Sequence, residues 1–144
     1  SRAEHIAKAA GATVLPKLTL SGLAAQLARA RGVIAVDTGL GHLAAALARP
    51  TLSLYGPTDP GLSGTYGVSQ KHLCSTFACA PCLKKTCAYK GPAVLDNDKT
   101  VAPPCFSTHP PALVWQTFEA LLAEAALGRP KSYYNNSNNG STGK

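Results

Sequence analysis

The chain has 144 residues, with 14 Lys+Arg against 7 Asp+Glu, so its formal net charge is +7. That length fits one domain and excludes two ordinary ones, and 45% hydrophobic residues exclude a chain disordered throughout. The excess positive charge points to an anionic partner, but the densest basic stretch, Lys84, Lys85 and Lys90, has no interleaved aromatics, which argues against single-stranded nucleic acid.

No apolar run reaches the ~18 residues of a membrane span, and no signal peptide opens the sequence, so a cytoplasmic setting is expected. The absence of methionine and the opening Ser1-Arg2-Ala3-Glu4, already in a helical pattern, lead us to expect a fragment of a longer protein.

Arg2 to Ala10 reads as a helix closed by Gly11, and Ala12 to Leu15 as a short buried strand stopped by Pro16. Thr19 or Ser21 caps a second helix with Leu20, Leu23, Ala24, Leu27 and Ala28 on one face, ended by Gly32. Val33 to Val36 has no polar alternation and reads as a strand buried on both faces. The turn Asp37 to Gly41 leads into a helix through Leu47, broken at Arg49-Pro50, and Thr51 to Tyr55 is the next strand. This alternation predicts an α/β fold, a Rossmann-like parallel sheet with helices on both faces.

Gly56 to Gly67 holds four glycines and two prolines in twelve residues and reads as a turn-rich loop, neither helix nor strand. Lys71 to Ser75 is a candidate edge strand, and residues 76 to 109 read as irregular. Pro110-Pro111 opens a last helix, with Ser107 or Thr108 as cap and Val114, Trp115, Phe118, Leu121, Leu122 and Ala125 on its apolar side, ended by Gly128 and Pro130. A partial ligand-binding domain over 1–130 and a disordered tail over 131–144 follow; the tail contains Asn135-Asn136-Ser137, an acceptor pattern for glycosylation that is read as tail.

Asp37-Thr38-Gly39-Leu40-Gly41-His42 stands just past the carboxyl end of a strand, where open α/β sheets bind ligands. Glycines at 39 and 41 let backbone N–H groups approach an anion, and the following helix adds its unpaired amides and partial positive charge. His42 can donate to a phosphate oxygen, while Asp37 suits sugar hydroxyls; together they fit a nucleotide sugar. The same residues also serve as an ordinary strand-to-helix junction, with Asp or Thr as cap and Gly relieving strain. In the next loop, Thr58 and Asp59 are either ligand contacts or turn formers.

Cys74, Cys79, Cys82, Cys87 and Cys105 give C-x4-C-x2-C-x4-C-x17-C. Cys79, Cys82, Cys87 and Cys105 form a candidate structural zinc set, with free buried thiols and disulfides as the alternatives. The odd number and the expected cytoplasmic setting disfavour complete disulfide pairing, and the C-x2-C lacks the strand-to-helix setting of a redox motif. His5, His72 and His109 are isolated and read as surface or capping residues, and Trp115 and Phe118 as core or as an interface with a missing domain.

Val36-Asp37-Thr38-Gly39-Leu40-Gly41-His42-Leu43-Ala44-Ala45-Ala46-Leu47 with Pro50, then Leu54 to Leu62 and Gly64-Thr65-Tyr66-Gly67, resembles the bacterial lipopolysaccharide heptosyltransferases. The likeness runs from about Leu15 to Gly67 and is strongest to the type that adds the first heptose to Kdo-lipid A from ADP-heptose. It implies the C-terminal, donor-binding domain of a GT-B glycosyltransferase acting by metal-independent inversion. It further implies that Asp37 binds heptose hydroxyls, that the backbone of Thr38, Gly39 and Leu40 meets the diphosphate, and that His42 lies beside phosphates or sugar. Gly41 stands where members often carry Ser, keeping the backbone donor.

The resemblance also implies a catalytic base, an Asp of the N-terminal domain, and an upstream Lys and Glu of the donor domain, all expected outside this sequence, so no catalytic residue is assigned here and no turnover is expected of the chain alone. The Kdo-lipid A acceptor would be met through the missing domain, at the cytoplasmic face of the inner membrane. The cysteine segment is similar to that of some members of the type adding the second heptose, which is one alternative; a non-catalytic, zinc-stabilised anion-binding module is the other.

Overall fold

The computed structural model describes residues 1–128. Its centre is a three-stranded, all-parallel sheet in the order β1 (Val33–Val36), β2 (Thr51–Tyr55), β3 (Gln70–Cys74). Residues Ala35, Ser53 and His72 lie across from one another on one face, and Ile34, Leu52 and Lys71 on the other. The expected α/β architecture is therefore present, and Tyr55 and Leu52 of the middle strand are its most buried large side chains.

Helix α1 (Arg2–Ala10) is closed at its start by a Ser1–Glu4 capping box and at its end by Gly11 in the left-handed region, φ 62°. Helix α2 (Leu20–Arg29) is capped by Thr19, whose side chain accepts from the Gly22 amide. It leans on α3 (Gly39–Ala46) without burying any residue of its own. Gly41, Ala44 and Ala45 are the buried residues of α3: small residues let its backbone settle on the face of Ala35 and Ser53. On the opposite face, α5 (Pro111–Ala126) packs through Leu121 against β2 and β3, and Gly128 at φ 64° follows it.

Several expectations need correction. Ala12 to Leu15 is not a strand: the segment is irregular and Val14 and Leu15 are 45% and 48% exposed, because no strand of the sheet lies beside it. β1 is not buried on both faces; it is an edge strand, and Ile34 and Val36 on the α5 side are 43% and 48% exposed. The Gly56–Gly67 stretch is not wholly loop, since Pro60–Ser63 forms a single helical turn, α4, with Asp59 as its cap and proline in its first turn.

Further on, Leu95–Asp96 and Lys99–Thr100 pair as β4 and β5 around Asn97 and Asp98, both at positive φ, the signature of a two-residue hairpin turn. A 3-10 turn covers Pro104–Thr108. Neither Ser107 nor Thr108 caps α5, whose cap position is Pro110. The Thr108 hydroxyl instead donates to Ser75 Oγ (3.1 Å) and to the Cys105 carbonyl (3.2 Å). Trp115 is 56% exposed and not core. Pro130 and the tail over 131–144 lie outside the described residues.

Candidate functional site

Parallel strands end together, so Asp37, Gly56 and Ser75 emerge along one edge of the sheet. Thr38 occupies the cap position of α3 in extended conformation (φ −145°, ψ 161°), and its side chain makes no capping bond. The Gly41 and His42 amides turn back to the Thr38 carbonyl at 3.1 and 3.4 Å. The Gly39 and Leu40 amides have no acceptor within the helix and project from its end. A Cβ at Gly39 would meet nothing within 4 Å, so the approach to these donors is open. Leu40 and His42 are exposed, and Asp37 is half-buried.

Asp37 is held from an unexpected direction. Ser63, the last residue of α4, donates its hydroxyl to Asp37 Oδ2 at 2.9 Å. Asp59 in turn fixes α4 by accepting from the Gly61 amide at 2.8 Å, which gives it a capping role. The loop after β2 and the turn after β1 thus form one unit. Ser63 had no motif to mark it; the only signal was Asp59-Pro60, a cap followed by a first-turn proline.

Behind this unit lies a layer of buried polar groups. The Thr65 hydroxyl and carbonyl contact His72 Nε2 at 3.0 and 3.2 Å, and the His72 ring meets Tyr55 edge-on with centroids 5.4 Å apart. Burial pushes the His72 pKa down, and the neighbouring His42 adds to the fall. Burial raises the Tyr55 pKa, as does the Asp37 carboxylate. His109 is 8% exposed and its Nε2 meets the Tyr55 carbonyl at 2.9 Å. His72 and His109 are therefore framework residues tied to β2 and its loop and not surface residues, while His109 also holds the expected capping position, at the end of the 3-10 turn.

The four candidate metal ligands, Cys79, Cys82, Cys87 and Cys105, all border one cavity of about 70 Å³, walled otherwise by Pro57, Ala80, Lys85, Pro103 and Pro104. Cys74 stands apart on β3. All five thiols are free. Among the described residues no three His, Cys, Asp or Glu side chains already converge on a metal position, so the thiols line the walls without meeting at a point. Burial raises the Cys105 thiol pKa, with the other three cysteines adding to the rise.

Residues 1–92 match the model of glycosyltransferase family 9 (heptosyltransferase), which takes in β1 to β3, the Asp37–His42 turn, α4 and three of the cavity cysteines. The chain belongs to glycosyltransferase family 9.

This family 9 chain is 56% identical over 115 residues to lipopolysaccharide heptosyltransferase 1 of Pseudomonas aeruginosa PAO1, covering 77% of this chain and 32% of that protein. To lipopolysaccharide heptosyltransferase 1 of Escherichia coli K12 it is 56% identical over 70 residues, or 48% of this chain and 22% of the relative. The solved E. coli heptosyltransferase WaaC with ADP is 54% identical over 49% of this chain and 22% of its own, at a TM-score of 0.48. The chain thus spans about a third, or less, of the length of these relatives.

Proposed function

We propose that the chain is the donor-binding half of an ADP-heptose:lipopolysaccharide heptosyltransferase, transferring heptose to the Kdo-lipid A inner core. The observation that carries this reading is the Asp37–His42 turn at the carboxyl edge of a parallel sheet, with open Gly39 and Leu40 amides beside a half-buried carboxylate. Family membership and the names of the relatives support it.

In this reading the donor lies with its diphosphate over the start of α3. The Gly39 and Leu40 amides and His42 stabilise the negative charge that grows on the diphosphate as the sugar leaves. Asp37 accepts from heptose hydroxyls and orients the anomeric carbon. Transfer is an inverting displacement within a GT-B architecture that needs no metal at the reacting centre. The acceptor hydroxyl is deprotonated by a carboxylate of another domain, so the chain alone would not turn over. The net charge of +7 suits a phosphate-bearing acceptor at an anionic membrane face.

Calorimetric titration tests the reading. ADP and ADP-heptose should both bind, and Asp37→Ala should weaken ADP-heptose about 10-fold or more while changing ADP little, as expected when a charged hydrogen-bond acceptor is lost. In the intact enzyme the same substitution should lower transfer more than ADP affinity. Equal losses for both ligands would remove the sugar-positioning role, and no binding of either would remove the reading itself.

A further inference from the structure

The cysteine segment poses a stability problem that its own hydrogen bonds do not solve. From Thr76 to Pro103 its only regular element is the two-residue hairpin of β4 and β5. Irregular stretches longer than about 12–15 residues are uncommon in compact domains, and small parts without a core of their own are usually stapled. Yet two bonds tie the segment and the turn that follows it to the loops at the carboxyl edge of the sheet. The Leu83 amide donates to the Pro57 carbonyl at 2.8 Å, and the Cys105 carbonyl accepts from Ser75 Oγ at 2.7 Å.

Four thiols stand beside those two ties. Cys79, Cys82 and Cys87 come from the irregular segment, and Cys105 from the 3-10 turn that closes it. Cys105 is anchored: it is 6% exposed, and a Cβ at Gly56 would lie 2.9 Å from its Sγ, so the end of β2 is pressed against it. The rest of the wall is apolar, apart from one cation, Lys85. An apolar wall that carries four sulfurs has the chemistry of a structural site for a soft divalent ion. Four thiolates around Zn²⁺ leave a net charge of −2, and Lys85 lies in the wall to offset part of it.

We propose that Cys79, Cys82, Cys87 and Cys105 bind one zinc ion as four thiolates, closing the cavity and clamping the segment onto the carboxyl edge of the sheet. Binding releases the thiol protons to solvent and involves no oxidation. Because the thiols line the cavity without converging, the ion draws in the more exposed partners. Cys79 and Cys87, both exposed, move toward the anchored Cys105. The site stands independently of the donor reading, for Pro57 is the single residue of its wall drawn from the Gly56–Gly67 loop.

The test uses the intact, fully reduced, metal-free protein titrated with Co²⁺ and then Zn²⁺. Expected are about one equivalent of cobalt, thiolate-to-cobalt charge transfer with tetrahedral d–d bands, and bleaching of both by zinc. Cys79→Ser and Cys87→Ser, at exposed positions that spare the fold, should each weaken zinc about 100-fold or more, whereas Cys74→Ser should leave it unchanged. Less than about half an equivalent of bound metal overturns the proposal. So does equal loss in Cys74→Ser, or thiols that react with Ellman's reagent at the same rate with and without zinc. Disulfide-linked cysteines that bind no metal after reduction overturn it too.

Discussion

The Ser63 hydroxyl donates to Asp37 Oδ2 at 2.9 Å, joining residues 26 apart in sequence and tying the loop after β2 to the turn after β1. One carboxylate oxygen is thereby committed to the protein, and the carboxylate's rotation is fixed.

Ser63→Ala should release that rotation. A lost hydrogen bond to a charged group is worth about 1.5–3 kcal/mol when buried and less at this half-buried position, so ADP-heptose affinity should fall about 3- to 10-fold. ADP affinity should hold, and Ser63→Thr should restore the sugar term. A calorimetric comparison of the two ligands checks this; equal weakening of both would show that Ser63 merely holds the loop together.

Gly64→Ala should damage the site from behind. A Cβ there would collide with the Pro60 carbonyl oxygen and fall 2.9 Å from His72 Cε1, and backbone cannot step aside as a side-chain tip can. The α4 turn must open, taking Ser63 away from Asp37. We expect a stability loss of about 1–3 kcal/mol or more, read from the urea midpoint, together with the Ser63→Ala binding defect. Full retention of both would show that α4 tolerates rearrangement.

The depressed His72 pKa predicts a sign for acid sensitivity. Burial favours the neutral ring in the folded state, while the unfolded ring titrates near about 6.5. Between the folded value and about 6.5 the unfolded chain binds more protons, so stability falls as pH drops through that window and is restored above it. His72→Gln keeps a polar group toward Thr65 and should flatten this dependence. Urea midpoints at a series of pH values decide it; an unchanged slope in the variant would assign the acid sensitivity to other groups.

The turn at Asp37 was legible because everything it needs is local: a strand that stops, glycines that clear the approach and a helix whose first amides are open. The loop glycines and Asp59-Pro60 were equally visible, but a single helical turn is too short to leave an apolar period, so α4 and the role of Ser63 stayed hidden. β1 is less buried than its sequence suggests because an unbroken apolar run describes composition, whereas burial depends on what other elements cover. The burial of His72 and His109 leaves no local mark for the same reason, since their partners, Thr65 and the Tyr55 carbonyl, lie 7 and 54 residues away. The cysteine spacing carried more: it singled out the four thiols that share a cavity and left Cys74 aside.

Among the described residues the sheet ends at β1, whose outer side carries backbone donors and acceptors with no strand beside them and whose face shows Ile34 and Val36 to water. Such a border is a template for whatever extended chain reaches it first. β3 forms the other border, so the three-stranded sheet offers an extended segment two margins at which to pair, and only β2 is closed to it.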